Sequence, residues 1–163
     1  MLELVQLSVV PVINKEDPEY LKKIFGSFPS NINLAHDNFP HLTDWPEIKP
    51  DQKLGIVRFK DEIFPNWEAV DQRLTAEGYG PDKRTLPPHL AQYVVPKCDA
   101  LWKIHQDGKG PSWVFASDPK SVWRAGDNLY LPFVSLHPTY RRVRADRVGR
   151  KLGDDNGFLV VCE

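Results

Sequence analysis

Apolar and polar positions recur along this chain in short, well-punctuated stretches. Between Leu2 and Ile13 the residues are apolar and β-branched, with Leu4, Gln6 and Ser8 alternating against Val5, Leu7 and Val9. The pattern predicts a strand that Pro11 ends or confines to a sheet edge, because proline offers no N–H to a ladder. Asp17 as cap, Pro18 in the first turn, and Tyr20, Leu21, Ile24 and Phe25 at helical spacing predict a helix of barely two turns, stopped by Gly26. Leu54 to Phe59 reads as a second strand. The clearest helix runs from about Pro65 to Glu77, where Trp67, Val70 and Leu74 make one apolar stripe, Asn66 caps and Gly78 stops the run. A third short helix is expected after Thr85 as cap, with Pro87 and Pro88 in its first turn, Leu90, Tyr93 and Val94 facing inward, and Pro96 as its end.

The last third changes character. Trp113-Val114-Phe115, Ser121-Val122-Trp123, Leu129 to Leu136 and Phe158 to Cys162 are β-branched or aromatic runs separated by turn formers such as Asp154-Asp155-Asn156-Gly157. Such runs predict an antiparallel sheet. The fold class expected is therefore α+β, with short helices packed on a mainly antiparallel sheet in two layers. All 163 residues fit one domain. Residues 27–50 hold four Pro and no sustained periodicity, which predicts a long irregular loop.

Composition narrows the class of protein. Fifteen Pro and ten Gly argue against long helices, while 41% hydrophobic residues place the chain away from disorder. The net charge of −1 gives no global attraction to nucleic acid or membrane, so any such binding must be local. Two cysteines, Cys98 and Cys162, do not make the disulfide framework of a small secreted domain, although one bridge between them is geometrically open. No basic stretch precedes an apolar one at the N-terminus and no run of about 18 apolar residues occurs, so the expectation is a cytoplasmic protein with no membrane contact.

Trp67-Glu68-Ala69-Val70, Gly78-Tyr79-Gly80-Pro81, Leu86-Pro87-Pro88-His89-Leu90, Ser121-Val122-Trp123, Leu131-Pro132 and Gly157-Phe158-Leu159-Val160-Val161 carry a resemblance. Residues 67–161 resemble a loose group of uncharacterised bacterial proteins. The resemblance implies an architecture and no activity.

Candidate chemistry lies in three places. His36, Asp37, His41 and Asp44, with Glu47, crowd two imidazoles and three carboxylates into twelve loop positions, which are metal-ligand types. Pro40 argues against one helical face, and the competing reading is that Asp37, Asn38, Thr43 and Asp44 shape turns while Phe39, Leu42 and Trp45 anchor the loop. The segment Tyr140 to Lys151 holds six cations and one anion, a local charge of +5. Arg141, Arg142 and Arg144 are its phosphate-binding candidates, since guanidinium groups take phosphate or carboxylate bidentately, and the segment would engage a polyanion or an acidic protein partner. The competing reading is a solvated strand or turn whose arginines pair with acids elsewhere.

His89, Cys98, His105, Asp107 and His137 supply the residue types of a Cys-His pair but form no known spacing, and a buried filler is the alternative for both cysteines. Trp102, Trp113 and Trp123 either line a groove or pack the core. No G-x-S-x-G elbow, Walker loop, dinucleotide fingerprint or H-E-x-x-H motif occurs. The function expected is a non-catalytic binding or regulatory module without metal or cofactor. The alternatives are a small metal-dependent hydrolase or nuclease built on the 36–47 loop, and an assembly subunit whose edge strands pair with another copy.

Overall fold

β2 (Leu54–Phe59) is buried at every position, and its side chains divide between two clusters. Leu54 and Ile56 join one cluster, Val57 and Phe59 the other. Alternate residues of a strand point to opposite sides, so β2 must lie inside a sheet covered on both faces. A computed structural model, which describes residues 2–7, 48–49, 51–125, 127–139 and 143–162, places it there. β2 pairs antiparallel with β1 (Leu2–Leu7) on one side and β7 (Asn156–Val161) on the other.

Beyond β7 the sheet continues through β3 (Trp113–Ala116), which runs parallel to β7 and antiparallel to β5 (Asn128–Ser135). β4 (Trp123–Ala125) and β6 (Val143–Arg147) also pair antiparallel with β5, giving seven strands in one sheet among the described residues. Phe133 pairs with both Phe115 and Arg144, and Tyr130 with both Trp123 and Arg147. β3 and β4 therefore share one side of β5, and β6 takes the other. Leu136 donates its N–H to the Ser112 carbonyl at 2.8 Å, which aligns the even-numbered groups of β5 with the β3 side. Pro132 falls in that series and has no N–H to give. At this gap residues 117–122 leave the sheet, and Asp118 caps a 3-10 turn by accepting the Lys120 N–H at 2.9 Å. The strand expected at Ser121–Trp123 consequently begins only at Trp123.

α1 (Trp67–Ala76) covers one face. Its Asn66 cap accepts the Ala69 N–H at 3.0 Å, and Gly78, at φ 94°, adopts the left-handed backbone that ends the helix. Trp67, Val70 and Leu74 are buried against Val57, Phe59, Phe115, Phe133 and Phe158. The other face is covered by a helical run from Pro87 to Gln106, whose Leu90, Val94, Cys98 and Leu101 pack on Ile56, Val114, Val134 and Leu159. Each half is a helix-on-sheet packing of two layers, and the two share the sheet. The α+β architecture of short helices on a mainly antiparallel sheet is the one the residue pattern predicts.

Pro96 does not end the second helical run. The chain widens to a π turn over Leu90–Val94, tightens to a 3-10 turn over Val95–Lys97, and resumes as α2 (Cys98–Gln106). Val95 donates to the Leu90 carbonyl and Cys98 to Val95, so Pro96 sits where a new first turn needs no N–H. Thr85 is not the cap either. Leu86 holds that position and donates its N–H to His89 Nδ1 at 2.9 Å, while the Thr85 hydroxyl donates to the Leu159 carbonyl.

Two buried arginines lock these layers. Arg84 donates to the Tyr79 and Ser117 carbonyls, to both the carboxylate and the carbonyl of Asp71, and to the Thr75 hydroxyl, at 2.7–3.1 Å. Arg58 donates to the Gly108 and Gly110 carbonyls beyond α2 and to the Glu3 carboxylate at 2.7 Å. The expected helix over Asp17–Gly26, the irregular stretch over 27–47 and the part of the first strand beyond Leu7 lie outside the described residues.

Candidate functional site

The basic segment forms a strand and a turn. β6 pairs with β5 from Val143 to Arg147, with Val143 buried in the core and Arg144 on the face that carries Phe133. Asp146 organises the turn that follows. Its Oδ1 accepts the Arg147 N–H at 2.8 Å, and its Oδ2 accepts from Arg150 Nη1 at 3.0 Å. The Arg147 carbonyl accepts the Arg150 N–H at 3.2 Å, which closes the turn and brings residue 150 back beside 146.

Arg150 then lies over an indole. Its guanidinium carbon is 5.5 Å from the centroid of the Trp113 ring, which is stacked on Phe133 at 4.5 Å and 18°. Trp113 is thus fixed from below by the sheet and topped by a cation, a favourable arrangement on the negative face of the ring. The Arg150 side chain is 60% exposed, against 17% for Asp146. A concavity of about 680 Å³ opens on one side of this ion pair, lined by Asp127, Leu129, Arg147 and Gly149 among others. A second of about 360 Å³ opens on the other, lined by Trp113, Lys151, Asp154, Asp155 and Asn156 among others. Asp146 and Arg150 belong to both walls. Asp154 is engaged elsewhere, accepting the Asp61 N–H at 2.7 Å.

The other sequence candidates are dispersed or lie outside the described residues. His36, Asp37, His41, Asp44 and Glu47 are outside them, as are Arg141 and Arg142. His89 is buried and closes the cap at Leu86, and Cys98 is buried beside the Val94 carbonyl. His105 Nδ1 is 2.9 Å from the Gly110 carbonyl. His105 and His137 flank Trp102, each ring 5.0 Å from the indole, and His137 Nδ1 accepts the Thr139 N–H at 3.2 Å. Asp107 is exposed at the end of α2. No group of three or more His, Cys, Asp or Glu among the described residues could hold a metal ion.

Neither cysteine is in a disulfide. Cys98 belongs to the cluster on one face and Cys162 packs against the cluster on the other, so the sheet separates them. Burial pulls the Lys97 ammonium below its ordinary range at the joint before α2. Trp113 lines the smaller concavity, whereas Trp102 packs against the edge of the core.

Arg150 was not separated from its neighbours by sequence. The signal that marks it is the Asp146 four residues earlier across a Val148-Gly149 turn, which is legible only once the chain is known to turn there. No protein-family model, curated protein or solved structure matches this chain.

Proposed function

We propose that this protein is a non-catalytic binding module that takes a phosphate-rich polyanion at Arg147, Arg150 and Lys151. The observation that carries the reading is the pre-oriented Arg150 guanidinium. It is held through Nη1 by Asp146 and lies over Trp113, while Nε and Nη2 have no hydrogen-bond partner among the described residues. A planar fork already fixed in place loses little freedom when it closes on an oxyanion, and its remaining donors suit bidentate contact. Arg147 and Lys151, both exposed, add charge on either side of it.

Residue types suited to catalysis are used in the fold: His89 in a cap, Cys98 in the core, His105 against the Gly110 carbonyl. This use favours a binding role over a Cys-His nucleophile. We place the module in the bacterial cytoplasm, the compartment favoured by two cysteines outside any disulfide and by the resemblance of residues 67–161. Among the described residues no helix is long and apolar enough to cross a membrane.

Anisotropy of a labelled single-stranded oligonucleotide at low ionic strength tests the reading. Arg150→Ala should weaken binding about ten- to a hundredfold, the worth of one charge-assisted contact. Arg150→Lys should fall between the two, because it keeps charge and loses the fork. The Ala variant should lose no more than about 1 kcal/mol of stability, since the Arg150 half of the ion pair it breaks is 60% exposed and Asp146 keeps the Arg147 N–H. Equal binding by wild type and Arg150→Ala would sink the proposal, and binding of an acidic peptide in place of the oligonucleotide would sink its phosphate part.

A further inference from the structure

Arg150 caps a column of rings that rises from the sheet. Phe115 and Phe133 lie 5.3 Å apart, Trp113 is stacked on Phe133 at 4.5 Å and 18°, and the Arg150 guanidinium carbon is 5.5 Å from the centroid of the indole. The Nη1 donor goes to Asp146, and the Arg150 side chain is still 60% exposed. A guanidinium has two recognition surfaces. The N–H groups on its rim take oxyanions, and its flat face stacks on planar rings.

The two concavities that share Arg150 differ in charge. In the larger, Asp127 and Asp146 balance Arg147 and Arg150. In the smaller, which also holds Trp113, the carboxylates of Asp146, Asp154 and Asp155 outnumber the two cations, Arg150 and Lys151. That excess disfavours a phosphate. It does not disfavour a flat neutral ring, whose face meets the guanidinium and whose N–H groups meet carboxylate acceptors. Asn156, in the same wall, accepts the Gly153 N–H at 2.8 Å through Oδ1, and its Nδ2 donors have no partner among the described residues. Donors and acceptors of this kind match the edge of a nucleobase.

We infer that the polyanion is a single-stranded nucleic acid, with one base stacked on the outer face of Arg150 in the smaller concavity and its phosphates on the Arg147 side. Bases in a duplex are already stacked on one another, so only an unpaired strand offers a free base face. This inference rests on the polyanion reading and adds what the polyanion carries besides charge.

Two probes of equal length and equal phosphate number test it in anisotropy titrations: a thymidine oligonucleotide, and the abasic strand with the same sugar-phosphate backbone. Wild type should bind the base-bearing strand at least about fivefold more tightly, the worth of one stacked base, with the same salt slope for both. Arg150→Lys keeps the charge and loses the flat face, so it should bind the two strands within about twofold of each other. Arg147→Ala should weaken both strands by the same factor and leave their ratio at the wild-type value.

Equal and salt-dependent binding of the two strands by wild type would overturn the inference and leave the polyanion reading standing. A base preference undiminished in Arg150→Lys would overturn the placement of the base on this column. Failure of wild type to bind either strand at low ionic strength would remove the polyanion reading and the inference with it.

Discussion

Arg84 and Arg150 place the same guanidinium in two settings. Arg84, with its side chain 2% exposed, directs its nitrogens at the Tyr79, Asp71 and Ser117 carbonyls, the Asp71 carboxylate and the Thr75 hydroxyl. Arg150, on the turn after β6, gives one nitrogen to Asp146 and leaves the remainder exposed over Trp113. The first has every nitrogen engaged, by three backbone carbonyls and two side chains, and in a low-dielectric interior its removal strands those acceptors. The second is oriented without being saturated. Sequence charge treats these residues alike, and only their partners separate an arginine that holds the fold from the one proposed to hold a ligand.

The largest effect should come from breaking the first setting. Arg84→Ala should destabilise the protein by about 3–5 kcal/mol in denaturant unfolding, because it leaves the Asp71 charge and several carbonyls without their donor. A loss no greater than that of Arg150→Ala would erase the distinction. Leu74→Ala, on the α1 face fully buried against the Phe-rich side of the sheet, should cost about 2–5 kcal/mol. A cost below roughly 1 kcal/mol would mean that this face is not packed as described.

How much of this could be read in the sequence depended on how local the cause was. The Trp67, Val70 and Leu74 stripe, the Asn66 cap and the Gly78 stop act within one helix, and all three appear as expected. β2 coincides with the expected Leu54 to Phe59 because a run buried on both faces needs no partner to be recognised. Failures came where a distant group decided the outcome. Thr85 has the chemistry of a cap, yet the Leu159 carbonyl on β7 takes its hydroxyl. Pro96 has the chemistry of a stop, yet the π turn before it absorbs the missing donor.

The start of β4 was displaced to Trp123 by Pro132 on the neighbouring strand. In the candidate site the cluster of charge was visible, but the selection of Arg150 required the turn that returns it to Asp146. Phosphate candidates chosen from the sequence included Arg144, which lies on β6 opposite Phe133.

A smaller effect sharpens the contrast between interior and edge. Burial pushes the Tyr79 hydroxyl above its ordinary range, with charge on Cys162 and Glu77 adding to it. A raised folded value means that the native state keeps the proton while the unfolded chain loses it. Stability should therefore be intact below about pH 10 and fall as pH rises past the unfolded value. Tyr79→Phe should remove that part of the alkaline loss, and an unchanged slope of stability against pH above this point would contradict the burial of the hydroxyl.

The most direct test of the edge as a ligand surface is the salt dependence of oligonucleotide binding in wild type and in Arg147→Ala/Arg150→Ala. Each phosphate neutralised releases counterion, so the wild-type affinity should fall steeply with salt, and the double variant should flatten that slope by about two units. Absence of measurable binding by wild type at low ionic strength, or an identical slope in the double variant, would contradict the account.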